Sequence, residues 1–464
     1  MRACAAILLA ALLAVGVPQQ AGGARGVPDS LEKPNVVLIV ADDAGYADFG
    51  FQGSTQMQTP HLDRLAREGV AFTDAHVTAS VCSPSRAGLM TGRYQQRFGY
   101  EANNPPADHG LDPGEVTLGE ALQRQGYATA AFGKWHLGAA PRYHPFEQGF
   151  DEFYGILGGG RSYFPYPEGR DVSRDRAVMR GRKRVELDGY FTDAIGEQAV
   201  RFIEEYRRDE PFFAYVSFTA PHTPMQAKAE DLKRFQGHPR QTLAAMMWAM
   251  DRAVGRILKT LEQYGLDENT LVVFTNDNGG AHFNQSINDP LKGAKGSEFE
   301  GGTRVPFVLR WPGRLEGGRV YDGLVSTMDI FATAYESAGG SGSPGKPLDG
   351  VNLLPYLTGE RAGVPHDRLF WRKEDHASAR VGSWKLVRLN DYGAVLYNLK
   401  NDVGEVVDLK EEYPSSFERV QKQLQKWETE LVTPRWHESD AWREVSWEIH
   451  RALMENRPPK RLKP

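Results

Sequence analysis

Five short runs of apolar and β-branched residues constrain this chain most: "NVVLIVADD" (Asn35 to Asp43), "YATAAFGKWH" (Tyr127 to His136), "FFAYVSFTAPH" (Phe212 to His222), "LVVFTNDNG" (Leu271 to Gly279) and "VPFVLRW" (Val305 to Trp311). Each reads as a strand with buried faces, and helical patterns stand between them. In "TPHLDRLAREG", Thr59 is the expected N-cap, Pro60 the first helical residue and Gly69 the stop, with Leu62, Leu65 and Ala66 turned inward. A longer helix is expected from about Thr242 to Tyr264, where Met246, Met250, Val254, Ile257 and Leu261 recur at helical spacing as a core stripe. Strands alternating with helices give an α/β domain with a mostly parallel sheet.

Four of these strands end in polar residues: Asp42 and Asp43, Lys134 and His136, His222, and Asp277 and Asn278. In open α/β sheets ligands bind outside the carboxyl ends of the strands, so clusters far apart in sequence converge there. Three carboxylates and an amide suit a hard divalent cation, Ca²⁺ or Mg²⁺, better than zinc, and without it they would repel one another. Lys134, His136, His222 and Lys295 bring cations and titratable groups to the same place, two imidazoles for acid and base work and two ammonium groups for developing negative charge. His61, His76, His109 and His238 are read as structural.

The chain has 464 residues, 41% hydrophobic and 25% charged, with a net charge of -5, so it is a folded protein without a basic footprint for nucleic acid. Residues 1–24 run from Arg2 through the apolar "AAILLAALLAV" to the small residues of "QQAGGA", the order of a secretory signal peptide. The mature protein is therefore expected to be exported, periplasmic or secreted, with no membrane association after signal removal. Cys4 leaves with the signal, and Cys82 remains as a lone thiol with three readings: buried and inert, bridged to another molecule, or reactive or modified. It stands in "SVCSPSRAGLMTG", where Pro84 is expected to push Ser83 out of helical angles and present Cys82 on a loop.

The expected catalytic domain spans residues 25–340. The Gly/Ser/Pro-rich "AGGSGSPGKPLDG" opens a linker over 341–364, and a smaller α+β subdomain fills 365–464 and ends in a basic tail. In it "ARVGSWKLVRL" and "AVLYNL" read as two antiparallel strands about a turn at "NDYG". A helix follows with Phe417, Val420, Leu424, Trp427 and Leu431 on one stripe.

With these residues assembled, the chain resembles the type I sulfatase family from about Pro34 to Gly350. Its signature, C-x-P-S-R followed after four residues by T-G, is met in full by "CSPSRAGLMTG". "ADDAGYADFG", "GKWHLG", "APHTP", "NDNG" and "LKGAKGSEFEGGTRVP" follow the family order. The resemblance implies an alkaline-phosphatase-like fold, a large mixed and mostly parallel sheet flanked by helices. It also implies that a formylglycine-generating enzyme oxidises Cys82 to Cα-formylglycine, whose hydrated aldehyde attacks the sulfur of a sulfate ester and then expels sulfate by elimination. By that resemblance Asp42, Asp43, Asp277, Asn278 and modified residue 82 hold one Ca²⁺. Arg86 holds the diol, Lys134 and Lys295 neutralise the sulfate oxygens, His136 is the base and His222 the acid.

Residues 138–190 form a stretch too long for a plain connection, and such loops carry specificity. Arg142, His144, Arg161, Tyr163 and Tyr166 are candidates for contacting sugar hydroxyls or neighbouring sulfates, and His282, past Asn278, is a further candidate or a surface loop residue. The resemblance makes sulfated carbohydrate the expected substrate class. One sequon, Asn284-Gln285-Ser286, and no disulfide favour a bacterial exported enzyme. A phosphonate or phosphodiester hydrolase of the same superfamily and a non-catalytic sulfoglycan-binding protein are the rival readings.

Overall fold

The computed structural model describes residues 33–206 and 210–459; the expected signal peptide and the last five residues of the basic tail lie outside them. In chain order the strands are β1 (Asn35–Ala41), β2 (Val70–Phe72), β3 (Ala75–His76), β4 (Ala128–Lys134), β5 (Glu152–Ile156), β6 (Met179–Arg180), β7 (Lys183–Arg184), β8 (Phe212–Ser217), β9 (Thr270–Asn276), β10 (Phe307–Arg310), β11 (Arg319–Tyr321), β12 (Val325–Ser326), β13 (Arg368–Lys373), β14 (His376–Val381), β15 (Trp384–Leu389) and β16 (Gly393–Asn398). Ten of them form the main sheet in the order β11-β2-β10-β9-β1-β8-β4-β5-β6-β7. Its centre, β9-β1-β8-β4-β5, is parallel, whereas β10 runs antiparallel to both β9 and β2, which makes the sheet mixed.

Every residue of β1 is buried, and its two faces serve two cores. Because side chains alternate along a strand, Val37, Ile39 and Ala41 pack with the helices Phe191–Glu205 and Gln241–Gln263. Val36, Leu38 and Val40 pack with Cys82–Thr91, Leu118–Arg124 and Asp329–Ser337 on the other side. Each such valine, leucine or isoleucine side chain removed from water stabilises the fold by about 1.5–3 kcal/mol. Among the described residues no helix is long and apolar enough to cross a membrane.

Three local expectations change. The Pro60–Glu68 helix forms as read with Thr59 at its N-cap, but the Thr59 hydroxyl donates to Asp63 (3.0 Å) and accepts from the Gly50 N–H (2.9 Å), so it caps no helical N–H. Cys82 is not on a loop: it is the first residue of the Cys82–Thr91 helix, and Ser83 is helical too. Pro84 is tolerated because the first N–H groups of a helix have no intrahelical acceptor, and Asn103 Oδ1 accepts the orphan N–H of Ser83 at 3.0 Å. In the C-terminal region the run "ARVGSWKLVRL" breaks at Gly382, whose φ of 58° turns the chain, so it supplies parts of both β14 and β15.

The C-terminal sheet β13-β14-β15-β16 is antiparallel throughout and carries the Pro414–Glu428 helix, with Val420, Leu424 and Trp427 buried. Its core includes Tyr94, Leu324 and Met328 from the preceding domain. The Lys385 ammonium, fully buried, lies 2.8 Å from Glu300 and 3.1 Å from Glu405, and Arg380 grips Asp74. These contacts lock the small sheet beside the segment that carries Lys295.

Candidate active site

The carboxyl ends of the parallel strands converge, as strand order requires. Asp42 and Asp43 follow β1, Lys134 ends β4, and Asp277 and Asn278 follow β9. The Asp277 N–H donates to Ala41 O (3.1 Å) and the Asp42 N–H to Ala220 O (3.0 Å), which ties three strand ends together. Asp43 and His136 take left-handed backbone angles, φ 66° and 59°, a strain of about 1–3 kcal/mol each that the surroundings must impose. Asn284 Nδ2 and Ser286 Oγ both donate to Asp43 O at 3.0 Å, and Ser83 Oγ donates to His136 O at 2.5 Å. The asparagine of the sequon is thus a buried brace of the site.

Cys82 Sγ lies 3.5 Å from Asp42 Oδ1, 3.8 Å from Asp43 Oδ1 and 3.1 Å from Lys295 Nζ. Lys295 Nζ also reaches Asp43 Oδ1 at 2.8 Å, and Lys134 Nζ reaches Asp42 Oδ2 at 2.8 Å. Arg86, wholly buried, donates from Nε and Nη2 to Asp277 Oδ2 at 2.9 and 2.7 Å. Its Nη1 donates to Lys134 O (3.1 Å), Tyr215 Oη (3.2 Å) and Ser217 Oγ. Asn278 Nδ2 donates to Asp43 Oδ1 at 2.8 Å.

The donor set fits a hard cation. Asp42, Asp43, Asp277 and Cys82 offer ligand atoms all within 4.8 Å of one another, and Asn278 Oδ1 is buried with no hydrogen-bond partner. A buried carbonyl oxygen left unpaired is costly, and an amide oxygen beside three carboxylates is a ligand set for Ca²⁺ or Mg²⁺.

The electrostatics divide the acids. Burial, then Asp277, pushes Asp42 up to about 7 despite Lys134. Burial acts to raise Asp43 as well, but Lys295, His222 and Lys134 overrule it and hold it well below the carboxylate range. Burial likewise acts against ionised Asp277, and Arg86 outweighs it. Burial and then Asp277 push the Cys82 thiol far up, so in the free protein it stays protonated. Burial, reinforced by Lys134, Arg86 and Lys295, keeps His136 neutral, and its Nδ1 is buried without a partner. Burial brings His222 down to about 4 in spite of Asp43, whose Oδ2 lies 3.7 Å from Nε2; its Nδ1 bonds to Thr223 O at 2.6 Å.

His136 and His222 open onto a cleft of about 640 Å³ whose walls include Asn103, Asn104, Arg161, Ser162, Tyr166, Arg170, Asp175, Arg176 and Thr223. Of the residues expected to contact substrate, Arg161 and Tyr166 line this cleft. Arg142 instead donates to Asp108 O and lies over Tyr143, and His144 is buried between Phe146 and Phe153 with Nε2 bonded to Gly181 O at 3.1 Å. The buried Tyr163 hydroxyl lies 2.8 Å from His222 O, where it braces that histidine's loop, and His282 is exposed and outside the cleft wall. Asn103, Asn104, Arg170 and Arg176 were not foreseen: no local pattern marks a loop residue that reaches the cleft only after the chain folds back.

Residues 34–340 match the family model described as "Sulfatase". The chain belongs to the sulfatase family. This sulfatase is a sulfuric ester hydrolase, and residues 295–434 also match the model "N-sulphoglucosamine sulphohydrolase, C-terminal". It is 35% identical to N-acetylgalactosamine-6-sulfatase of Mus musculus over 83% of this chain and 76% of that protein. It is 33% identical to the sulfatase YdeN of Escherichia coli K12 over 73% of this chain and 68% of that protein. Among solved structures, Ps i-CgsB in complex with k-i-k-neocarrahexaose superposes with a TM-score of 0.84 at 35% identity, covering 90% of this chain and 98% of that one.

Proposed function

We propose that this sulfatase removes sulfate esters from sulfated carbohydrates, with residue 82 as a formylglycine made from Cys82 by a formylglycine-generating enzyme and with one bound Ca²⁺. We further propose that it is a bacterial protein exported to the periplasm or medium. The observation that carries the reading is the burial of Cys82 at a helix start among Asp42, Asp43, Arg86, Lys134, Asp277 and Lys295, beneath a cleft flanked by two histidines. A carbohydrate substrate is supported by the similar Ps i-CgsB, solved with k-i-k-neocarrahexaose.

Asp42, Asp43, Asp277 and the orphaned Asn278 Oδ1 would hold the cation. When present, the hydrated aldehyde supplies the attacking oxygen and the calcium its Lewis acidity. Arg86 keeps Asp277 ionised and fixes the first turn of the Cys82 helix against β4 and β8. Lys134 and Lys295, buried and charged, neutralise sulfate oxygens in a site with little water to screen them. His136 is neutral and so accepts a proton during elimination. His222 spends Nδ1 on Thr223 O, so the proton for the leaving alcohol must sit on Nε2. It is neutral in the free protein, and an arriving sulfate adds the negative charge that favours its protonated form.

A panel of defined sulfated glycans, given to protein co-produced with a formylglycine-generating enzyme, tests the reading. Sulfate release from at least one glycan is expected, and none from any glycan overturns it. The fold is shared with the phosphonate monoester hydrolase of Agrobacterium radiobacter, TM-score 0.64 at 23% identity. Turnover of an aryl phosphodiester above that of an aryl sulfate would therefore favour phosphoester chemistry.

A further inference from the structure

Arg161 is only 6% exposed, yet its guanidinium donates to backbone carbonyls alone, Ser162 O at 2.8 Å and Phe164 O at 3.4 Å. Among the described residues no carboxylate lies within ion-pair distance of it. A buried cation without a counter-charge is costly, and here burial is what pulls its pKa down. Arg170 is exposed, and it too has no carboxylate within ion-pair distance among the described residues. Its guanidinium lies 4.7 Å from the centroid of the Tyr166 ring while that of Arg161 lies 4.9 Å from the same centroid, which puts the two charges within about 10 Å of each other. Tyr166 is itself fixed, its hydroxyl accepting the Ser162 N–H at 3.1 Å.

This wall faces open space on two sides. Arg161, Tyr166 and Arg170 line the cleft that holds His136 and His222, and they also line an adjoining cavity of about 360 Å³. The cleft carries a third arginine, Arg176, against one carboxylate, Asp175. Its volume of about 640 Å³ lies within the roughly 300–1,000 Å³ of pockets that take drug-sized ligands, so more than a sulfate group fits. Guanidinium groups bind planar or tetrahedral oxyanions with paired hydrogen bonds.

We infer that Arg161 and Arg170, gathered on Tyr166, form a second anion subsite that reads an oxyanion on the sugar next to the one being desulfated. The inference rests on the proposed carbohydrate desulfation and narrows it: the preferred substrate carries a second negative group, a sulfate ester or a uronate carboxylate, one sugar away from the scissile sulfate.

The test takes the best-cleaved disaccharide of the glycan panel in three forms, with the neighbouring sugar neutral, sulfated or a uronate. Matured wild-type protein is expected to show kcat/KM at least tenfold higher for one or both anionic forms, and the better of the two identifies the group read. Arg170→Ala, an exposed position, and Arg161→Gln should each pull the anionic-to-neutral ratio toward one, and added salt should do the same in the wild type. Equal kcat/KM on all three forms, or a ratio unchanged in both variants, overturns the subsite alone. Absence of sulfate release from every form and from an aryl sulfate overturns the desulfation reading and the subsite with it.

Discussion

Replacing Arg86 by methionine tests whether the carboxylate cluster is organised as described. The change keeps much of the stem and removes the charge and five hydrogen bonds, two of them to Asp277 Oδ2 at 2.9 and 2.7 Å. Asp277 is then buried beside Asp42 and Asp43, with Lys134, 4.0 Å away, and the more distant Lys295 as its remaining counter-charges. Breaking a buried ion pair by removing one partner costs about 3–5 kcal/mol. The Tyr215 and Ser217 hydroxyls lose a donor but can pair again, which adds roughly 1 kcal/mol. Urea unfolding of metal-free protein should therefore show Arg86→Met less stable by about 4–6 kcal/mol, with Arg86→Met/Asp277→Asn recovering at least about 2 kcal/mol of that. Calcium should shrink the penalty, since it restores positive charge beside Asp277. A single variant that costs less than about 1 kcal/mol, or a double variant no better than the single, would refute the reasoning.

Two other outcomes follow from the same geometry. Calcium at a hundredfold its Kd should stabilise the protein by about 2.7 kcal/mol, and Asn278→Ala should weaken calcium binding; full activity after proven metal removal would contradict the ligand set. Acid should act against the fold at its buried histidines: burial holds His376 and His450, stacked 3.8 Å apart, well below the ordinary imidazole pKa and brings His144 and His222 down to about 4. The unfolded chain takes up these protons first, so the histidines' share of the stability is intact above pH ~6.5 and is lost as pH falls toward 4, while Asp42, Asp251 and Glu405, which burial pushes up to about 7, act in the opposite sense over the same window; the stability gap between wild type and His450→Gln should therefore narrow from pH 7 to 4.5, and a constant gap would count against it.

The sheet was legible because β1, β4, β8 and β9 are continuous apolar runs, and a strand buried on both faces has no other reading as economical. Their polar ends were legible for the same reason, since Asp42, Lys134 and Asp277 break apolar runs where the topology gathers strand ends. Cys82 misled locally. The bias against helix before proline fails at a helix start, and the acceptor for the Ser83 N–H, Asn103, lies twenty residues on. Arg170 and Arg176 were invisible because a charged loop and a cleft wall look alike until the chain folds back and Tyr166 draws the Arg170 guanidinium beside that of Arg161. The stacked His376 and His450, and the Lys385 pairs with Glu300 and Glu405, join residues that no periodicity links.

The central claim is that residue 82 acts as an aldehyde and not as a thiol. Mass spectrometry of the peptide carrying residue 82, made on the same preparations assayed for sulfate release, tests it directly. Activity should rise in proportion to the fraction of peptide that has exchanged its thiol for an aldehyde and be absent in Cys82→Ala. A preparation that holds only the unmodified thiol yet releases sulfate at the full rate would contradict the account.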